Sequence, residues 1–144
     1  MSHSKLSAAA RQLIESSALA HFVTINGDGS PQVAVVWVAL DGDEIVSAHL
    51  NPNQQKLRNL RRDPRVAISI ETSETNEMGL TNYLVVHGRA RLSEGGAPEL
   101  LQQLAHVYIG PDVRFPPMDD PPTGVITHVE ITKIGGNGPW SDAT

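Results

Sequence analysis

The residue types best suited to chemistry crowd into one stretch, Asn51-Pro-Asn-Gln-Gln-Lys-Leu-Arg-Asn-Leu-Arg-Arg-Asp-Pro-Arg65. Five of the eleven Lys and Arg residues lie between Lys56 and Arg65, in a chain whose net charge is -5. Asn51 or Asn53 can cap a helix here, and Pro52 suits a first helical position. Leu57 and Leu60, three apart, form an apolar stripe, with Lys56 and Asn59 beside it at the same spacing. Arg58, Arg61, Arg62 and Arg65 form a second, basic stripe, and Pro64 stops the helix by pushing Asp63 out of the helical region. A short helix with free N–H groups at its start, a lysine in its first turn and a basic flank is a seat for a phosphate. The competing reading is a solvated surface helix whose arginines aid solubility.

Other chemistries find less support. With no cysteine, the chain has no disulfides, thiolate metal sites or Cys nucleophiles. His21, His87, His106 and His128 lack metal-ligand spacing such as H-E-x-x-H, so no metal site is expected. Ser30 and Ser47 have no His-Asp context that would argue for a hydrolase. No P-loop is present, and no Gly-rich dinucleotide fingerprint follows a strand. The acidic balance, with basic charge confined to one helix, argues against nucleic-acid binding. No apolar run reaches membrane-span length and the N-terminus lacks a signal-peptide core, so a cytoplasmic protein without a membrane partner is expected. The 144 residues suggest one domain over residues 1–144.

The elements that must position the basic helix are mostly strands. Residues 6–17 read as a short amphipathic helix with Ser7 as a possible cap, placed within an N-terminal segment 1–17. Residues 20–25 are a short strand, and Asn26-Gly-Asp-Gly-Ser30 is a hairpin turn. Residues 31–40 read as a second strand; the run Val33-Ala-Val-Val-Trp-Val-Ala-Leu40 is too uniformly apolar to have a wet face, so it should be covered by the core on one side and by a ligand or second subunit on the other. Asp41-Gly-Asp43 turns the chain into a third strand, 44–50. After the basic helix, 65–71 alternates as a fourth strand, 72–80 reads as a loop, and 81–92 is a long fifth strand in which Gly88 suggests a bulge. Residues 96–109 read as a second helix, with Leu100, Leu101, Leu104, Ala105 and Tyr108 on its inner side. Residues 110–122, with five prolines, are a loop. Residues 124–134 are the last strand, and 135–144 an irregular tail. About six strands at hairpin spacing with a few short helices predict a mostly β fold, a small antiparallel barrel closed or nearly so.

This order of motifs resembles the split β-barrel flavin and deazaflavin oxidoreductases, the superfamily named after pyridoxamine 5'-phosphate oxidase and also described as FMN-binding split barrels. The resemblance runs over roughly residues 10–140. It is carried by Asp28-Gly-Ser-Pro-Gln-Val33 with Trp37, the hairpin Asp41-Gly-Asp43, the helix Lys56-Leu-Arg-Asn-Leu-Arg-Arg-Asp-Pro-Arg-Val66, the segment Val86-His-Gly-Arg-Ala90 and Gly138-Pro-Trp140. The helix looks like that of the actinobacterial branch using the deazaflavin coenzyme F420, whose members are homodimers binding the coenzyme between protomers. The resemblance implies that Lys56 binds the cofactor phosphate with Asn59 beside it. Gln54 falls at a phosphate-contacting position often held by arginine, which removes one charge from the seat. Val35 and Trp37 match the strand that lines the isoalloxazine or deazaflavin ring, and Ser47 and His49 match the next strand, facing the same groove.

The resemblance therefore implies an F420-dependent oxidoreductase that passes a hydride from reduced F420 to a small electron-poor substrate, with no side-chain nucleophile. His49 is a candidate proton donor, since an unperturbed imidazole titrates near neutrality. Trp140 is expected to pack against the barrel or the partner near the pocket. Two alternatives remain open. One is an FMN-binding relative of pyridoxamine phosphate oxidase, although after Arg114 only Lys133 is basic, too few for the substrate-phosphate arginines of that reaction. The other is a non-catalytic carrier of F420, FMN or haem.

Overall fold

The computed structural model describes residues 6–140. Helix α1 (Ala8–Ile14) opens the described chain, followed by β1 (Ala20–Ile25), β2 (Pro31–Val36), β3 (Ala39–Asp41), β4 (Glu44–His49), α2 (Gln55–Arg62), β5 (Arg65–Thr75), β6 (Thr81–Glu94), α3 (Ala97–Tyr108) and β7 (Val125–Asn137). The strands make one seven-stranded sheet in the order β2-β1-β5-β6-β7-β4-β3, antiparallel at every neighbouring pair. This is the mostly β, antiparallel split-barrel architecture expected, with seven strands in place of six.

The extra strand comes from the apolar run 31–40. Its first part pairs with β1, Val36 facing Ala20; its last part pairs with β4, Ala39 facing Val46. The two edges of the sheet are therefore consecutive in the chain, separated only by Trp37 and Val38. Three Cα–Cα steps of about 3.8 Å span at most about 11 Å, so the sheet has to curl until its edges nearly meet. At that seam the backbone leaves both ladders, and side chains satisfy it. Ser47 Oγ donates to Trp37 O at 2.8 Å. Val38 N donates to the Tyr108 hydroxyl at 3.0 Å, and that hydroxyl donates to Ala18 O at 3.0 Å.

Strand periodicity fills the interior. On β1, Ala20, Phe22 and Thr24 point inward; on β5, Val66, Ile68 and Ile70; on β6, Leu84 and Val86. Ala10, Leu13 and Ile14 of α1 join this core, and Ser7 caps α1 as expected, its Oγ accepting from Ala10 N at 3.1 Å. Each large aliphatic or aromatic side chain so buried contributes about 1.5–3 kcal/mol. Leu57 and Leu60 of α2 are buried, as their spacing predicts. On the outer surface α3 packs on β4, with Ala97 and Leu101 against Ala48.

Two boundaries differ from expectation. Residues 72–75, expected in a loop, extend β5, because Asn76 closes the hairpin: its Oδ1 accepts from Met78 N at 2.9 Å and Leu80 N at 3.0 Å. Gly135 and Gly136, expected in the tail, pair with Val85 and Leu84. A Cβ on Gly136 would lie 2.3 Å from Tyr83 O, so glycine permits pairing here instead of breaking it. Residues 138–140 do leave the sheet, and 141–144 lie outside the described residues. Gly88 sits at the register shift between β6 and β7, the bulge expected, with no room for a Cβ, which would fall 2.4 Å from Glu130 O.

Tyr108→Phe removes the hydroxyl that serves both Val38 N and Ala18 O at the seam. Equilibrium urea unfolding should show a loss of about 1–3 kcal/mol, the cost of a buried backbone donor left unpaired.

Candidate functional site

The seam opens into a groove of about 320 Å³ whose walls include Val35, Trp37, Ser47, His49, Gln54 and Lys56, together with Leu101 and Phe115. Six of the seven residues expected to bind a cofactor thus share one concavity. Residues 35 and 37 come from the edge-to-edge crossing, 47 and 49 from successive same-face positions of β4, and 54 and 56 from the start of α2.

Asn59 is not among them. It is fully buried, with both amide hydrogens and its carbonyl already used. Nδ2 donates to Thr24 Oγ1 at 3.0 Å and Asn26 Oδ1 at 2.9 Å. Oδ1 accepts from Gln55 Nε2 at 2.7 Å and, at 3.4 Å, from Arg62 Nη2. Its work is to fasten α2 to β1 and the following turn. The arginine stripe is fastening too. Arg61 donates to Pro52 O at 2.8 Å, Arg62 to Ile25 O, Arg58 to Gln55 Oε1 and Arg65 to Asp63. None of the four lines the groove, so the charge offered to a ligand there is that of Lys56.

The start of α2 differs from expectation in a way that favours an anion. Neither Asn51 nor Asn53 caps it. Asn51 Oδ1 accepts from Asn53 N at 2.9 Å in the preceding turn, and the helix begins at Gln55 with Gln54 as an N-cap that makes no side-chain bond. Leu57 N and Arg58 N bond to Gln54 O at 3.0 and 3.1 Å, which leaves Gln55 N–H and Lys56 N–H without an acceptor among the described residues. Lys56 is half-buried, and no carboxylate lies within salt-bridge distance of it among the described residues. Burial lowers its pKa. A half-buried ammonium without a counterion beside two open N–H groups fits the phosphate of a bound cofactor.

His49 is buried, its Nε2 3.3 Å from Thr127 Oγ1. Burial first, then the charge of Lys56, takes its pKa from 6.5 to about 3. It is a neutral imidazole at neutral pH, set in the groove wall where either ring nitrogen can take part in a hydrogen bond. Ser47 is committed through its hydroxyl to Trp37 O. Trp37 stacks on Tyr108, centroids 5.4 Å apart and planes 15° from parallel, and meets Phe115 edge-on at 5.3 Å. Phe115 comes from the proline-rich segment, which α3 holds: Gln102 Oε1 accepts from Phe115 N at 3.0 Å and Gln102 Nε2 donates to Val113 O at 2.7 Å. Nothing in the sequence of that segment marks Phe115. Tyr108 was legible as an inward helical position, but not as the partner of Trp37.

Trp140 packs on the main core and donates to Tyr83 O at 2.9 Å, so it binds the barrel. It lines a different cavity, about 460 Å³, between α1 and the far part of β5. The charged residues there are Glu71 and Glu74, which makes that cavity hostile to a phosphate. Among the described residues no group of three or more His, Cys, Asp or Glu could hold a metal ion, and no helix is long and apolar enough to cross a membrane.

The chain belongs to the pyridoxamine 5'-phosphate oxidase family, whose model matches residues 6–136. No curated protein matches it. Among solved structures it is similar to an F420 reductase, at 27% identity and a TM-score of 0.73, over 90% of this chain and 98% of that one. It shares its fold with a conserved hypothetical protein from Mycobacterium tuberculosis, at 24% identity and a TM-score of 0.69, over 92% of this chain and 84% of that one. It shares it also with a putative pyridoxamine 5'-phosphate oxidase from Listeria innocua, at 17% identity and a TM-score of 0.64, over 87% and 92% of the two chains. The fold is that of the flavin and deazaflavin oxidoreductases.

The depressed pKa of His49 gives a pH signature. Below pH 6.5 the unfolded chain takes up a proton that folded His49 refuses until about pH 3, so stability falls as pH falls through that window. Between pH 7 and pH 5 this single group should cost about 2 kcal/mol. Urea unfolding at the two pH values should show a drop smaller by about that amount in His49→Gln.

Proposed function

We propose that the protein is a coenzyme F420-dependent oxidoreductase that reduces a small electron-poor organic substrate. The observation that carries this reading is the half-buried Lys56 ammonium, without a carboxylate partner among the described residues, at the mouth of an aromatic-walled groove. The 27% identity to an F420 reductase over nearly all of that chain supports the deazaflavin in particular. When bound, the reduced deazaflavin supplies the hydride. The chain's own residues bind, orient and exclude water. Lys56 and the open N–H groups of Gln55 and Lys56 hold the phosphate. Trp37, stacked on Tyr108 and met edge-on by Phe115, gives a flat apolar wall for a ring. Neutral His49 offers a hydrogen bond without a competing charge, and solvent supplies the proton that the substrate takes up.

FMN is the second reading, favoured by the family as a whole. Its phosphate would use the same seat. Pyridoxamine phosphate as substrate fits poorly: the one arginine of the proline-rich segment, Arg114, pairs with Asp119 at 2.8 Å.

We further propose that a second copy completes the groove. Val33 and Val35 of β2 are 59% and 54% exposed. Their ladder neighbours are Val23 and His21 on β1, then Ala67 and Ser69 on β5, so one outward face of three strands carries no Lys, Arg, Asp or Glu at these positions. Val35 is both on that face and on the rim of the groove. A subunit docked there would cover the apolar strand and wall the groove together.

Two measurements test these readings. In titrations followed by tryptophan fluorescence, F420 should quench at micromolar concentration and FMN should bind more weakly. Lys56→Ala should weaken F420 affinity by about 1.5–3 kcal/mol; an unchanged affinity would place the phosphate elsewhere. Steady oxidation of reduced F420 with an electron-poor acceptor separates an enzyme from a carrier. In sedimentation velocity the wild type should run as a dimer and Val33→Lys, which sets a charge on the apolar face, as a monomer.

A further inference from the structure

The proline-rich segment carries one wall of the groove on very little support. Of residues 111–120 only Pro116 is buried; Val113 and Phe115 are half-buried and the others are exposed. Arg114 Nη2 donates to Asp119 Oδ1 at 2.8 Å and to Met118 O at 3.3 Å, both within the segment. Val113 N donates to Gly110 O at 3.4 Å in a local turn. Beyond that turn, and among the described residues, every hydrogen bond that ties 111–122 to the rest of the molecule comes from one side chain, Gln102 of α3.

Gln102 spends its whole amide on this task. Its Oε1 accepts from Phe115 N at 3.0 Å, and its Nε2 donates to Val113 O at 2.7 Å. A backbone N–H only donates and a carbonyl only accepts, so these two bonds fix which end of the amide is oxygen. Nε2 has a second hydrogen, and His106 Nε2 lies 2.9 Å away to accept it. Helical spacing supplies that contact, because residues four apart share a face. Leu101, the preceding residue, lines the groove itself. Adjacent positions of α3 thus give a wall and a latch.

What the latch holds is a ring against Trp37. Two aromatics touch that indole, Tyr108 stacked at 15° and Phe115 at 61°. Tyr108 belongs to α3 and is bonded to the backbone at the seam. Phe115 rides on the proline-rich segment, so its place is only as firm as Gln102 makes it. A flat ligand lying on Trp37 shares the indole surface with Phe115, and the position of Phe115 decides how much of it the ligand covers. Segments with few hydrogen bonds to the body of a protein open locally without global unfolding.

We propose that residues 113–118 are a strap that opens and closes over the groove, that Gln102 is the positioning residue that latches it, and that Phe115 is the group it brings against the ligand. With the latch made, Phe115 lies on Trp37 and narrows the groove, which keeps water from a bound ring. With the latch broken, the two strap bonds are lost together, Phe115 leaves the indole, and the ligand enters or leaves. The ligand class is a flat conjugated ring bearing an anionic group: the ring meets Trp37 and Phe115, and the anion meets Lys56 in the same groove. The proposal rests on the groove being the cofactor site and adds how a cofactor gets in and is held there.

The test begins on the full chain without cofactor, by amide hydrogen exchange followed by NMR. The wild-type Phe115 N–H should exchange about tenfold more slowly than in an unstructured peptide of the same sequence. Gln102→Met keeps the length of the side chain and its helix preference but makes neither strap bond. It should abolish that protection while leaving the midpoint of urea unfolding in place, which a merely structural Gln102 would lower. In a Trp140→Phe background, where Trp37 is the sole tryptophan, Gln102→Met should raise acrylamide quenching about twofold. With F420 bound, stopped-flow release should be about tenfold faster from Gln102→Met than from wild type. An unprotected Phe115 N–H in the wild type, protection retained in Gln102→Met, or release at the wild-type rate overturns the proposal. The wild-type exchange needs no variant, so it decides against a latch even where a substitution prevents folding. Protection lost in Gln102→Met, in a protein whose wild type binds no F420, overturns the cofactor reading and supports the strap.

Discussion

Everything in this fold follows from one chain segment serving as both edges of the same sheet. Strands β2 and β3 are separated by Trp37 and Val38 alone, yet they lie at opposite ends of the strand order. A flat or gently twisted sheet cannot meet that condition, because the connector is too short. Curling brings the edges together but costs Trp37 and Val38 their ladder bonds, and buried backbone groups must be paired somewhere. Ser47 and Tyr108 do the pairing. The same requirement that forces the barrel to curl therefore brings β4 and α3 to the seam, and with them the walls of the groove. The site is a consequence of how the barrel is nearly closed.

The second governing term is the charge of Lys56. The lysine sits partly out of water beside a buried histidine, and each disfavours the charged form of the other or of itself: burial lowers the lysine, burial and the lysine lower the histidine. A fold selected for stability alone has little reason to keep this arrangement, since removing the cation would relieve it. A ligand anion reverses the sign, because it supplies the missing countercharge where competing water is partly excluded. The four arginines of the same stretch show the contrast. Each is spent on a protein oxygen, which is the ordinary use of surface cations.

Features decided by local chemistry were legible in the sequence. The helix stop at Pro64, the buried Leu57 and Leu60, the Ser7 cap and the bulge at Gly88 all rest on the residue itself and its near neighbours. The break at Trp37–Val38 was not legible, because a strand buried on both faces and a strand that changes partners look alike as an apolar run; the difference lies in which strands reach it from residues 20–25 and 44–49. Asn59 was placed beside Lys56 by helical spacing, but positions three apart differ by about 60° around the helix. That offset was enough to turn Asn59 toward Thr24 and Asn26. Phe115 was invisible because its position depends on Gln102 holding an irregular segment.

The alternation of β4 and β7 has a further consequence for how much chemistry a small barrel can carry. Ser47, His49 and Thr127 face inward, Glu44 and His128 outward, and neighbours along each strand never share a side. Register fixes both sets at once: Ser47 opposite Thr127, Val46 opposite His128. A slip of one residue would turn the inner histidine out and the outer one in, exposing the buried Val125 and Val129 with it. The hydrophobic core thus enforces the position of both polar clusters without either contributing to the other. Burial acts on both histidines in the same direction and keeps each ring neutral, but their partners differ. The inner ring sits beside a cation, which suits it to a wall for an anionic ligand. The outer one looks toward the Glu44 carboxylate, 4.0 Å from its Nδ1. Two strands of about six and thirteen residues therefore present two imidazoles of opposite electrostatic setting.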